Sequence, residues 1–160
     1  MCRSIGFLFA ASLVAQPGFA ADNDKIVGTW KLVSYEVEVQ ASGRKAPVMG
    51  VHPTGYVTFT PDGRAYVLLT GEGRTAAKTD QERAALFNTL SAYTGTYSIE
   101  GETWTTQVEV ASNPEWVATK QVQNVKLDGD RLVVLTSWRV MANWADKGMT
   151  RSVVTFERSK

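Results

Sequence analysis

The sequence predicts an all-β protein, an up-and-down antiparallel barrel of about eight strands with one short helix between strands 3 and 4. Three observations lead there. Segments rich in Val, Thr and aromatic residues recur along the chain with turn signals between them. Their number is the one that closes a small barrel around side chains or a single small ligand. Their connections also alternate in length: residues 61–63, 100–101 and 128–130 make tight turns, whereas 40–53, 71–91, 111–114 and 141–148 are long. Strands that alternate up and down then gather the tight turns at one end and the long loops at the other. One end is stitched shut and the other is a mouth.

The first segment lies outside this pattern. "MCRSIGFLFAASLVAQPGFA" carries one Arg, an apolar run from Ile5 to Ala15, then Pro17 and small residues. That is the layout of a secretory signal peptide over residues 1–20, with cleavage after Ala20. The run is short for a membrane span, so no stable membrane anchor is expected after cleavage. Cleavage removes the only Cys, Cys2, and with it any disulfide or thiolate chemistry. The expected location is periplasmic or secreted. Residues 21–160 form the single remaining domain, long enough to bury a core.

Strand 1 is "KIVGTWKLVSYEVEV", Lys25–Val39. Strands 2 and 3, Thr54–Thr60 and Arg64–Thr70, are joined by Pro61-Asp62-Gly63, in which each residue favours a turn for its own reason. The helix follows over Thr79–Leu90: Thr79 and Glu82 have the spacing of a capping box, and Leu86, Leu90 and Tyr93 recur near helical spacing. Strand 4 (Ala92–Ile99) turns through Glu100-Gly101 into strand 5 (Glu102–Val110). Strand 6 (Glu115–Leu127) turns through 128–130 into strand 7 (Arg131–Val140), and Met149–Arg158 is the eighth.

In such a meander the last strand ends beside the start of the first. Arg158 is therefore expected over the Trp30 indole at the closed end, with Gly28 leaving room for that ring. These three are read as structural.

Net charge is +1 and the charges are scattered. The basic stripe that nucleic acid requires is absent. His52 is the only histidine, on a predicted rim loop, and has no partner for a metal site or a catalytic triad. Glu36 and Glu38 share parity with Trp30 if strand 1 is regular, and would then face inward as candidate general bases. Strand parity allows Tyr97, Trp104, Thr106, Gln121 and Gln123 to share the interior, a few polar groups among aromatics, as small-ligand pockets are built. Trp116 and Trp144 fall near the mouth.

"IVGTWKLVSYEVE", "GYVTFTPDGRAYVLL", "AYTGTYSI", "SNPEW" and the terminal "TFER" together resemble the bacterial and fungal lipocalin-like domain family, in order and over nearly the whole chain after residue 20. The resemblance implies a lipocalin-type barrel with an apolar small-molecule pocket. Three positions depart from the family's pattern. A His before P-x-W and an Arg after it are replaced near Thr105–Thr106 and Gln123, and Phe156 stands where a Trp is usual.

The sequence thus predicts an exported protein that binds a small apolar or amphipathic molecule, with Tyr97, Trp104, Thr106, Trp116, Gln121, Gln123, His52 and Glu36 as candidate ligand contacts. No catalytic residue, metal or organic cofactor is assigned. Two other functions are compatible with the same chain: an isomerase or hydrolase acting on a hydrophobic metabolite, and a filled barrel that binds another protein.

Overall fold

A computed structural model describes residues 25–160; the leader expected over residues 1–20 lies outside them. Ten antiparallel strands form one sheet: β1 (Gly28–Val39), β2 (Lys45–Pro47), β3 (Thr54–Phe59), β4 (Arg64–Thr70), β5 (Leu90–Glu100), β6 (Thr103–Ala111), β7 (Lys120–Asp128), β8 (Arg131–Thr136), β9 (Arg139–Val140) and β10 (Met149–Arg158). Eight of them make a closed barrel in the order β1-β3-β4-β5-β6-β7-β8-β10, with β10 pairing back onto β1. The short β2 and β9 are appended at the mouth, beside β1 and β10. The expected barrel is therefore the one observed, with a short α-helix, α1 (Asp80–Asn88), between the third and fourth barrel strands.

Alternation builds the core. Along β4, Ala65, Val67 and Leu69 are buried while Tyr66 and Leu68 face solvent. Along β6, Trp104, Thr106 and Val108 are buried. Two bulges interrupt the alternation. The first inserts Val33 between the pairs Leu32–Phe156 and Ser34–Thr155. One extra residue turns every later side chain of β1 to the opposite face. Tyr35 and Val37 consequently point inward, and Glu36 and Glu38 outward. The second bulge lies where the β5–β6 register shifts between Thr94 and Gly95. Gly95 is needed there because a Cβ would sit 1.8 Å from the carbonyl oxygen of Gln107.

The closed end is held by Arg158. Its guanidinium carbon lies 4.1 Å from the Trp30 ring centroid, and its Nη1 and Nη2 donate to the carbonyls of Val27 (3.0 Å) and Lys25 (2.6 Å). Trp30, fully buried, donates through Nε1 to the Ile26 carbonyl at 2.8 Å. The room left by Gly28 (φ +131°) is taken by the guanidinium rather than the indole: a Cβ there would lie 2.8 Å from Arg158 Nη1.

Helix α1 departs from its expected range of 79–90. The capping box is formed, with Thr79 Oγ1 accepting from the Glu82 N–H (3.2 Å) and Glu82 Oε2 accepting from the Thr79 N–H (3.0 Å). The helix nevertheless buries no residue. Leu90 and Tyr93, counted by spacing with Leu86, belong to β5. Arg74 fastens the helix end instead, Nη1 donating to the Leu86 carbonyl at 2.7 Å.

Candidate functional site

Between the mouth and the closed end the barrel contains a cavity of about 300 Å3, at the lower edge of the range usual for small-ligand sites. Its base begins with Trp104, which stands edge-on to Phe59 (centroids 4.8 Å apart, planes at 72°). Phe59 in turn meets Tyr97 edge-on at 5.1 Å. Val67, Leu69, Val134, Val154 and Phe156 complete the apolar wall. Gln121, Gln123, Ser91 and Thr136 supply polar groups higher up, and Trp116, Lys120 and Arg139 line the opening.

Two lining residues carry a donor that has no acceptor among the described residues. Trp104 is almost wholly buried, and its Nε1 has no hydrogen-bond partner. Leaving such a group unmade costs about 1–3 kcal/mol. Tyr93, which meets Trp116 edge-on at 5.9 Å, accepts a bond from Gln123 Nε2 at 3.2 Å; its own phenolic proton has no acceptor among the described residues. Burial pushes that phenol well above its ordinary value, with the Gln123 bond opposing the shift in part. Tyr93 therefore remains a neutral donor and does not serve as a base.

Of the residues expected to contact a ligand, the structure brings Trp104, Trp116, Gln121 and Gln123 into one cavity wall. Tyr97 faces inward but lies below the cavity, packed on Phe59 with its hydroxyl donating to the Thr60 carbonyl at 3.2 Å. Thr106 is fully buried between Tyr97 and Gln121 in cross-strand register and is not part of the wall. Glu36 is turned outward by the Val33 bulge. Glu38, turned the same way, pairs with Arg151 at 2.7 Å.

His52 is exposed on the 48–53 loop and does not reach the cavity, nor does α1. The backbone explains the loop's course: Glu72 Oε2 accepts the N–H groups of Val51 (2.7 Å) and His52 (3.1 Å). These bonds, His52's foremost, hold the Glu72 carboxyl below the ordinary glutamate value. A lowered carboxyl pKa means that the tether is complete above the ordinary value and is lost as pH falls through the lowered one. The Val51 and His52 amide resonances should therefore shift together in an acid titration, with a midpoint below that of a free glutamate side chain. They should stay flat in Glu72→Gln. A midpoint at or above the free value would contradict the tether.

Sequence reasoning missed Tyr35, Ser152, Lys120 and Arg139. Tyr35 Oη lies 3.3 Å from Ser152 Oγ, and both line the cavity. The two residues and Arg139 also border a second depression of about 370 Å3 under Trp144. Lys120 was legible in principle as the residue before Gln121. Arg139 was not, because the strand expected over 131–140 breaks at Ser137–Trp138. Among the described residues, no group of three or more His, Cys, Asp or Glu side chains is placed to hold a metal ion.

The sequence matches the family model described as a lipocalin-like domain over residues 27–159. No curated protein matches it. Similar solved structures include a lipocalin-like protein from Bacteroides uniformis, 16% identical, covering 84% of this chain and 99% of that one with a TM-score of 0.45. Others are a redesigned β-barrel (13%; 86% and 95%; TM-score 0.43) and an uncharacterised protein from Bacteroides eggerthii (12%; 84% and 99%; TM-score 0.44). With the family match spanning the whole barrel from the strand that opens it to the strand that closes it, the chain belongs to the lipocalin-like domain family.

Proposed function

We propose that the protein binds a small apolar or amphipathic molecule inside the barrel. The observation that carries this reading is the largely apolar cavity itself, lined by Trp104, whose buried Nε1 has no partner among the described residues. A ligand with an apolar body and one acceptor atom would satisfy that donor and remove apolar surface from water at about 25 cal/mol per Å2. The volume restricts size: about 300 Å3 corresponds to about ten water-sized groups, so the ligand is compact rather than a long-chain lipid. The leader-like layout of residues 1–20 supports a periplasmic or secreted place of action. The cavity wall carries no carboxylate, imidazole or thiol, which favours binding over turnover.

Isothermal titration with benzyl alcohol, indole and 4-phenylbutan-1-ol tests the reading. Saturable one-to-one binding of at least one of them is expected. Trp104→Phe, which keeps the ring and loses the donor, should weaken it by roughly three- to tenfold, the worth of one hydrogen bond. Absence of saturable heat with every compound would overturn the proposal.

A further inference from the structure

The cavity does not open only through the top of the barrel. Along β7 the inward side chains are Gln121, Gln123 and Val125, and the outward ones are Lys120, Val122 and Asn124. Yet Lys120 and Val122 line the cavity together with Gln121 and Gln123. A space confined within a barrel touches one parity of each strand, so this one must wrap around an edge of β7.

The pairing explains where. β7 and β8 pair only as far as Gln123–Thr136. Beyond that point the chain leaves through Ser137 and Trp138 to β9, which pairs with β10 alone. No strand covers that side of Lys120–Val122. The result is a lateral slit bounded by β7 on one side and by Ser137 and Arg139 on the other.

The charge at this slit has one sign. Lys120 and Arg139 line the cavity, and no acidic residue does. Among the described residues neither side chain has an ion-pair partner, which Arg131 at the start of β8 also lacks, whereas Arg64, Arg151 and Arg158 are matched with Glu109, Glu38 and Asp130. Deeper in the cavity, Trp104 Nε1 and the Tyr93 hydroxyl are also donors. From slit to base, Lys120, Arg139, Tyr93 and Trp104 thus present donors, and the free acceptors beside them, the amide oxygens of Gln121 and Gln123, are neutral.

We propose that the ligand is a compact anionic amphiphile, an aromatic or short-chain carboxylic acid, seated with its apolar body on the Trp104–Phe156 base and its carboxylate at Lys120 and Arg139 in the slit between β7 and β8–β9. This rests on the binding reading above and adds the charge of the ligand and its route of entry. The unpaired cations beside apolar surface explain the slit's composition: a carboxylate gains charge-assisted hydrogen bonds there while its body leaves water.

The test compares 4-phenylbutyrate with 4-phenylbutan-1-ol by isothermal titration at low salt, on the protein after removal of residues 1–20 as it is isolated from its host. The acid should bind about tenfold more tightly than the alcohol, the size of two partly exposed charged contacts, and added salt should narrow the gap. In the Lys120→Gln/Arg139→Gln double variant the gap between acid and alcohol should close, and an unchanged urea midpoint shows that the variant is folded. Arg139→Glu should move the preference toward 4-phenylbutylamine. Equal binding of acid and alcohol to the unmodified protein would overturn the anionic assignment and leave the binding reading standing. A gap that survives the double variant would overturn the assigned place of the carboxylate. Failure of all three compounds to bind would remove the binding reading and this inference together.

Discussion

Trp30→Ala should lower the stability of the barrel by about 3–5 kcal/mol, the range for removing a buried tryptophan. Trp30 is fully buried at the closed end, and three features depend on it. The indole fills the base of the core; its Nε1 satisfies the Ile26 carbonyl; its face carries the Arg158 guanidinium. Arg158 in turn ties the last strand to the carbonyls of Lys25 and Val27, ahead of the first strand. Removing the ring therefore leaves a void at the seam where the sheet closes on itself. Domains of this size are stable by about 5–15 kcal/mol in total, so the loss is a large share of what holds the fold. Urea denaturation should show a midpoint well below that of the unmodified protein at an unchanged m-value. A change below about 1 kcal/mol would mean that the closed end is not a principal anchor.

Val134→Trp should do the reverse, removing binding while the fold persists. Val134 is buried on β8 and lines the cavity opposite the β4 residues Val67 and Leu69. The added ring would occupy the space that a ligand needs. Overpacking costs about 1–3 kcal/mol in a filled core, and the cost here falls at the low end because a cavity receives the ring. Affinity for 4-phenylbutyrate should fall by about a hundredfold or more, equivalent to roughly 3 kcal/mol. Loss of stability without loss of binding would place the ligand elsewhere.

The barrel was legible because its signals are local. Pro61-Asp62-Gly63 marks a turn wherever it stands, and the alternation in β4 reports burial from the sequence itself. The meeting of Arg158 with Trp30 followed from topology alone. What escaped was decided by pairing between distant segments. The Val33 bulge is a property of β1 against β10, more than a hundred residues apart, and no residue near Val33 announces it. One inserted residue sufficed to turn Glu36 out of the barrel and Tyr35 into it. Spacing also misplaced Leu90: its distance from Leu86 is helical, yet β5 claims it through pairing with Thr70 on β4. The slit is the third case. Lys120 and Arg139 are unremarkable in sequence and share a cavity only because β8 stops at Thr136.

The central claim is that the barrel interior carries a compact ligand, and native mass spectrometry tests it most directly. The protein, released gently from its own host, would be compared with Val134→Trp prepared in the same way. The account predicts an added small-molecule mass on the unmodified protein that leaves on denaturation and is missing from the variant. Bare masses for both proteins, or an adduct that the variant retains in full, would contradict it.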